Sequence, residues 1–318
     1  MSLRDAAKGL REQAAQHRAK FPTGFSLDTR CGVVKAGELA LLWARTGAGK
    51  TTMLLNVLAN TPEIPTVLFN LEMSDAQVLA WLATMTCPNL RVGARDIEEV
   101  LEDPTHQSYD ELQAAIDLTV DTYPHLTLAQ PMRPTLGELA GLVEATPGNP
   151  KRVFIDHLGL LQDANSYENT MQATAALKRW ALAKDMALFV VQQTGRSGDD
   201  KAKNEGHLPV TLSSGLFAGE HDADWVYGIF RPDRDPALHK ELDDVDKDER
   251  RLTKLASVRG LVHLQVVKNR QNGILMQDGI VVRYDPSTRR YTERQLFGYL
   301  DQESDISPPE PGSYEEPF

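Results

Sequence analysis

A chain of 318 residues, of which 41% are hydrophobic and 25% charged, is large enough to bury the core of one large or two small domains. The net charge of −11 excludes a broad basic coat, but a narrow pore or loop can still be locally basic and bind nucleic acid. Two cysteines supply neither a disulfide framework nor a zinc site. Because no apolar run approaches the roughly 18 residues of a membrane span, we expect a cytoplasmic protein without a membrane partner.

The first predicted element is an amphipathic helix within residues 1–21. Leu3, Ala7, Leu10 and Ala14 recur at helical spacing, with arginine and glutamate between them. This apolar stripe needs a surface outside its own segment. Two alternatives remain open: the helix folds back onto its own domain, or it docks onto a neighbouring copy and tethers the subunits.

Residues 38–58 predict an apolar strand, a turn of small residues and an apolar helix. The turn matches the phosphate-loop pattern G-x-x-x-x-G-K-[ST], except that Ala44 stands where the first glycine is usual. Small residues let several backbone N–H groups surround a polyphosphate, and the helix that follows points the positive end of its dipole at the same anion. The predicted nucleotide-binding residues are Arg45, Thr46, Gly47, Ala48, Gly49, Lys50, Thr51 and Thr52.

A second apolar strand, residues 66–71, is followed directly by Glu72. Parallel sheets collect their chemistry at the carboxyl ends of strands, where Glu72 can polarise the water that attacks a γ phosphate. The alternative is a glutamate that starts a helix and is stabilised by the helix dipole. Residues 75–150 predict helices with one short strand at 125–129.

Residues 151–161 predict a buried strand that ends in Asp156. After a phosphate loop, an acid in this position is typical of a carboxylate that holds Mg²⁺ through water. The Thr51 hydroxyl can take another Mg²⁺ position, and Lys50 can reach the β and γ phosphates. The predicted cofactors are therefore ATP and Mg²⁺. We interpret His157, beside the acid, as a packed or water-bonded residue rather than a metal ligand.

The second half of the chain predicts a helix over about 167–186 and strands at 187–193 and 225–230. A charged insert, 231–259, is expected to form a surface helix flanked by irregular chain. A strand starting at Leu261 then carries Lys268 and Arg270 on one face of its end, before a tight Asn-Gly turn. Two further segments, 279–284 and 289–292, are expected to close the sheet.

The entry Thr-Gly-Phe-Ser-Leu-Asp at residues 23–28, together with the phosphate loop, resembles RecA-like ATPases, and especially the motor domain of DnaB-family replicative helicases. The resemblance covers about residues 22–293. It implies an α/β fold, the RecA-like P-loop NTPase, with a central mainly parallel sheet flanked by helices on both faces. We accordingly assign a motor domain to 22–295 and a disordered, acidic, proline-rich tail to 296–318.

The resemblance also implies catalytic roles. Glu72 matches the catalytic glutamate of a Leu-Glu-Met motif, and Gln193 matches a γ-phosphate sensor. Lys268 and Arg270 match a Lys-x-Arg pair that enters the neighbouring subunit's nucleotide site, where arginine fingers raise turnover by roughly 10³ to 10⁵. An exposed hairpin with two basic residues is the alternative. A site shared between copies implies self-association, as a hexamer or as a filament.

RecA-like motors grip DNA with pore loops, and residues 197–208 show no apolar periodicity. These residues and a second loop at 212–215 are the expected contacts to the phosphates of single-stranded DNA, with His207 as an additional candidate. Acids among the lysines leave a solvated charged loop as the alternative. The predicted DNA-binding residues are Arg196, Lys201, Lys203, Ser213 and Ser214.

Three function hypotheses follow. The first is a ring helicase or translocase in DNA replication, although the collar domain by which DnaB proteins assemble and contact primase is not expected in this chain. The second is a recombination protein of the RecA or RadA kind, since Lys-Asn-Arg at 268–270 also resembles RadA. The third is a structure-specific nuclease on a RecA-like scaffold. The final Glu-Glu-Pro-Phe resembles the tip by which single-strand-binding proteins recruit partners; it recruits replication proteins or is inert.

Overall fold

The computed structural model describes residues 18–90, 97–164, 166–193, 209–212, 219–234 and 258–293. The described strands are β1 (Lys20–Phe21), β2 (Val34–Lys35), β3 (Leu39–Ala44), β4 (Thr66–Asn70), β5 (Leu126–Ala129), β6 (Arg152–Asp156), β7 (Ala187–Gln193), β8 (Trp225–Phe230), β9 (Leu261–Asn269), β10 (Met276–Tyr284) and β11 (Tyr291–Glu293). The described α-helices are α1 (Leu27–Cys31), α2 (Lys50–Asn60), α3 (Asp75–Thr86), α4 (Ile97–Glu102), α5 (Tyr109–Thr122), α6 (Leu136–Ala145) and α7 (Tyr167–Lys184).

Nine of the described strands form one sheet, in the order β11-β10-β9-β8-β3-β7-β6-β4-β5. The six strands from β8 to β5 run parallel, whereas β9, β10 and β11 pair antiparallel at the other side. The carboxyl ends of β3, β7, β6 and β4 therefore lie side by side along one edge of the sheet. We refer to this edge as the carboxyl edge.

Both faces of the sheet are covered by helices. Successive side chains of β3 alternate between two apolar cores, one containing Leu39, Leu41 and Trp43 and the other containing Ala40, Leu42 and Ala44. The first core also holds apolar residues of α6 and α7, and the second holds those of α2 and α3. Burial on both faces explains why the parallel strands are continuous apolar runs in the sequence rather than alternating ones.

The predicted α/β architecture, with a mainly parallel sheet between helices, is confirmed. The predicted strands at 187–193 and 225–230 are confirmed to the residue. The strand predicted at 279–284 begins earlier, at Met276, because a shift in its pairing with β9 lies between Met276 and Ile280 and extends the strand past Gly279. Among the described residues, no helix is long and apolar enough to cross a membrane.

The predicted N-terminal helix is wrong at its end. Lys20 and Phe21 form β1, paired antiparallel with Lys35 and Val34, and the Phe21 side chain is buried in the core. Residues 1–17, most of the charged insert (235–257) and the tail from 294 onward lie outside the described residues. The tether, surface helix and tail therefore stay predictions.

The pairing shift in β10 predicts different costs for two glycine substitutions. Gly279 has φ +68° and a Cβ there would lie 2.4 Å from the Leu264 carbonyl oxygen, whereas Gly273 has φ +72° and a Cβ there would meet no atom of the described residues within 4 Å. We expect Gly273→Ala to destabilise the protein by about 1 kcal/mol, the cost of left-handed backbone. Gly279→Ala should cost about 2 kcal/mol more, because the strands must shift. Urea unfolding of both variants measures this, and equal losses would contradict it.

Candidate active site

The phosphate loop turns β3 into α2 within residues 45–49. Gly47 has φ +76° and Gly49 has φ +98°, in the left-handed region that glycine favours. The turn is closed by the Ala48 N–H, which donates to the Arg45 carbonyl at 3.1 Å. Gly49 supplies no side-chain cap, so the first amide groups of α2 are available to an anion. Ala44, the departure from the usual pattern, fits because its methyl group is buried at the end of β3.

Strand β11 supports this loop through a contact that sequence analysis missed. The Tyr291 hydroxyl donates to the Gly49 carbonyl at 3.3 Å, and a Cβ on Gly49 would lie 2.5 Å from that hydroxyl. The Tyr291 N–H donates to Asn56 Oδ1 at 2.8 Å, while Asn56 Nδ2 donates to the carbonyls of Thr52 and Arg289. The signal in the sequence was a polar Asn56 amid the apolar residues of α2.

Lys50, Thr51 and Asp156 meet at the start of α2. The Thr51 hydroxyl donates to Asp156 Oδ2 at 2.5 Å, and Lys50 Nζ donates to the Arg45 carbonyl at 3.1 Å. Asp156 is 1% exposed. Burial raises the pKa of Asp156 to about 6; the charge of Glu72 adds to this, and the Thr51 hydrogen bond and the Lys50 charge oppose it. Around the loop, Arg45 is half-buried, Thr46 exposed and Thr52 buried.

The oxygen atoms beside the loop fit a Mg²⁺ ion. Among the described residues, the buried Asp156 Oδ1 has no hydrogen-bond partner, and the Thr51 hydroxyl lies next to the same carboxylate. Mg²⁺ prefers oxygen ligands and is usually held by one or two carboxylates together with the phosphates of a substrate. The described part of the chain has no group of three or more His, Cys, Asp or Glu that could hold a metal ion.

Glu72 lies in the turn between β4 and α3 and is exposed. Burial lowers the pKa of both Lys50 and His157, and the negative charge of Glu72 opposes the shift in both. The Glu72 carboxylate is therefore close enough to the phosphate loop to act there electrostatically. The N-terminus of α3 is capped by Ser74 and Gln77 instead, through a reciprocal capping box.

Asn70, a residue that sequence analysis missed, holds the turn that carries Glu72. Asn70 Nδ2 donates to the Met73 carbonyl at 2.7 Å, and Asn70 Oδ1 accepts from the Met73 N–H at 3.2 Å. Gln130 Nε2 donates to the same carbonyl at 2.6 Å. Because Asn70 is 1% exposed and ends an apolar strand, its buried amide is a rigid anchor for the turn.

Gln193 ends β7 and pairs with Ala44, directly before the phosphate loop. Its side-chain nitrogen lies 3.4 Å from Nε2 of His157, the residue after Asp156. The preceding Gln192 belongs to the buried interior, where its Oε1 accepts from the Trp43 indole N–H at 2.8 Å. The structure thus brings Gln193 to the carboxyl edge with the phosphate loop, Glu72 and Asp156.

Lys268 and Arg270 do not join this group. Lys268 pairs with Val226, which pairs with Leu41, and Leu41 precedes Arg45 by about 13 Å of extended strand. Lys268 Nζ donates to the Glu220 carbonyl and the Arg270 guanidinium donates to the His221 carbonyl. Burial lowers the pKa of Lys268, and the charge of Arg270 lowers it further. The phosphate loop of the same chain lies at the carboxyl edge, and both basic residues lie toward the opposite edge of the sheet.

The predicted DNA-binding residues belong to two segments that the structure does not describe, 194–208 and 213–218. All of them lie outside the described ranges: Arg196, Lys201, Lys203, His207, Ser213 and Ser214.

Comparison with known proteins assigns the family. Residues 21–293 match the model of the DnaB-like helicase C-terminal domain. The chain belongs to this family. Membership identifies the DnaB-like domain as a helicase-type, nucleotide-binding ATPase, and it confirms the predicted resemblance.

Two solved structures share the fold of this DnaB-like domain. The first, described as an ATPase domain, superposes with a TM-score of 0.68 at 18% identity, covering 92% of this chain and 99% of that one. A DnaB-like replicative helicase, described with its interactions with primase, superposes with a TM-score of 0.64 at 19% identity, covering 93% and 67%. At these identities the likeness establishes the RecA-like fold alone. No curated protein matches the chain.

The anchoring of the Glu72 turn predicts the effect of Asn70→Ala. Losing the hydrogen bonds to Met73 loosens the turn, so we expect kcat for ATP hydrolysis to fall about tenfold while KM changes less than about twofold. Steady-state kinetics measure both constants. Gln77→Ala, which removes the capping partner of α3 but leaves the Asn70 bonds, is the control and should retain kcat. A rise in KM without loss of kcat would contradict an anchoring role.

Proposed function

We propose that this DnaB-like domain is a Mg²⁺-dependent, ATP-driven motor that moves along single-stranded DNA and unwinds duplex DNA as a ring helicase in replication. The observation that carries the proposal is the convergence of the phosphate loop, Gln193, Asp156 and Glu72 on the ends of the adjacent strands β3, β7, β6 and β4. Strand ends of a parallel sheet are where such folds bind nucleotides.

Each residue at the carboxyl edge has a separate task in hydrolysis. The loop amides and Lys50 bind the phosphates, and Thr51 with Asp156 would hold Mg²⁺, which neutralises charge on the β and γ phosphates. Water attacks the γ phosphorus and gives its proton to the Glu72 carboxylate, while the bond to the bridging oxygen breaks and ADP leaves with the electron pair. Gln193 detects whether the third phosphate is present.

Lys268 and Arg270 act, in this proposal, on the nucleotide of a neighbouring copy. Support comes from their place toward the edge of the sheet away from their own phosphate loop. A finger supplied by another subunit stabilises transition-state charge and requires self-association. A closed ring, with six copies as the expected number, satisfies every site, whereas a filament leaves its ends incomplete.

Single-stranded DNA is the proposed track. Gln193 lies four residues before the first predicted DNA loop, 197–208, and Glu220 and His221, whose carbonyls accept from Lys268 and Arg270, lie five and six residues after the second, 212–215. Both loops therefore lie close in sequence to a residue of the proposed site or to its hydrogen-bond partners. Their predicted contacts, the N-terminal tether and partner recruitment by the acidic tail remain part of the proposal.

Strand displacement tests the function. With ATP and Mg²⁺, the protein should release a labelled strand from a forked duplex, and Lys50→Ala should reduce both unwinding and hydrolysis by at least about a hundredfold, because a preorganised phosphate contact is lost. Lys184→Ala, an exposed lysine at the end of α7, is the control. A filament whose length follows that of the DNA, without strand release, would point to a recombination protein. Cleavage of flap DNA without ATP would point to a nuclease.

Mixed subunits test the shared site. Arg270→Ala should leave nucleotide affinity nearly intact while turnover falls by roughly 10³ or more. Mixing Arg270→Ala with Lys50→Ala protein should restore part of the activity, because an intact loop from one variant then meets an intact finger from the other. Arg283→Ala, an exposed arginine on β10, should retain turnover. A mixture without regained ATPase activity would contradict the shared site.

A further inference from the structure

His157 occupies a central position that the proposed chemistry does not use. It follows Asp156, its Nε2 lies 3.4 Å from Gln193 Nε2, and the charges of Glu72 and Lys50 both act on it. Its ring packs against Gly159, where an added Cβ would lie 3.3 Å from the ring atoms Cε1 and Nδ1. A glycine in that position leaves room for the imidazole beside Gln193.

The surroundings of the ring select one tautomer. His157 Nδ1 is buried and has no hydrogen-bond partner among the described residues. A proton on Nδ1 would be a buried N–H without an acceptor, which proteins avoid more strictly than a buried acceptor without a donor. The proton of the neutral ring therefore belongs on Nε2, and the atom that faces it must be an acceptor.

A donor on His157 fixes the orientation of the Gln193 amide. The oxygen and nitrogen of a glutamine amide exchange places by a half-turn, and only the oxygen can accept from Nε2–H. In the structure the amide nitrogen is the atom next to His157; a half-turn of the amide places Oε1 there and the NH₂ group on the side away from His157. An anion there meets a donor; with the amide reversed, it would meet an oxygen and be repelled.

We propose that His157 is a positioning residue that holds the Gln193 NH₂ group toward the terminal phosphate, so that the pair distinguishes ATP from ADP. The inference rests on the proposed function, because it needs a γ phosphate at the carboxyl edge. His157 acts through Gln193 and does not touch the nucleotide.

A double-mutant cycle on nucleotide preference tests the role. The dissociation constants of fluorescent ADP and of a non-hydrolysable ATP analogue are measured for wild type, His157→Phe, Gln193→Ala and the double variant. We expect His157→Phe to reduce the preference for the ATP analogue about fivefold, the scale of one hydrogen bond, with ADP affinity within about twofold of wild type. In the Gln193→Ala background it should have no further effect. An equal loss in both backgrounds, or no loss in either, overturns the proposal.

Milder variants keep the test valid if His157→Phe folds poorly. Gly159→Ala moves the ring by a few tenths of an ångström and should reduce the same preference about twofold, the fraction of a hydrogen bond lost to poorer geometry. Gly141→Ala on α6, whose Cβ would meet no atom within 4 Å in the part of the chain that the structure describes, is the matched control and should keep the preference. His263→Phe, a half-buried histidine on β9, controls for loss of an imidazole. A change with either control as large as with His157→Phe overturns the assignment.

The tautomer can be read without nucleotide. Long-range ¹H–¹⁵N correlation spectra of histidine-labelled protein, assigned with His157→Phe, should show the neutral ring with its proton on Nε2. A proton on Nδ1 overturns the positioning role of His157. If ATP hydrolysis nevertheless depends on Lys50, the proposed function is retained without this inference. If hydrolysis does not depend on Lys50, the proposed function fails and the inference fails with it, whatever the tautomer.

Discussion

The contact between the Thr51 hydroxyl and the Asp156 carboxylate is the constraint on which the site depends. It joins the first turn of α2 to the end of β6, two strands away from β3 in the sheet. A carboxylate that is 1% exposed is costly to bury, and here one hydrogen bond and the Lys50 charge offset only part of that cost. The buried Asp156 carboxylate is therefore only partly neutralised by its neighbours. It lies where a nucleotide with its cation would bind.

The parallel half and the antiparallel half of the sheet place their polar residues on opposite sides of the molecule. Parallel strands bring Asp156, Gln193 and the Glu72 turn beside the phosphate loop, because their carboxyl ends share one edge. The antiparallel strand β9 runs in the opposite direction, so that Lys268 and Arg270 lie beside the start of β8, away from the carboxyl edge. A single sheet thus separates the groups proposed to bind a chain's own nucleotide from those proposed to reach another.

The sequence predicted those site residues that can be recognised from their position next to an apolar strand. The phosphate loop follows an apolar strand, and Asp156 and Gln193 each end one, so their positions sufficed to place them at one edge of a parallel sheet. Asn70 and Tyr291 were missed because their roles depend on contacts that local periodicity does not encode: a turn closed by one side-chain amide, and a strand that packs beneath a loop. The bound of residue 21 for the N-terminal helix was too late, because Lys20 and Phe21 pair with Lys35 and Val34 as a strand.

The bond between Tyr291 and Gly49 joins residues 242 positions apart. During synthesis the phosphate loop leaves the ribosome long before the strand that braces it, so a nascent chain carries the motif without its support. The hydrogen bond that braces the phosphate loop therefore forms only after β11 has been synthesised. A fragment that ends before β11 would contain the phosphate-loop motif without this hydrogen bond to Gly49.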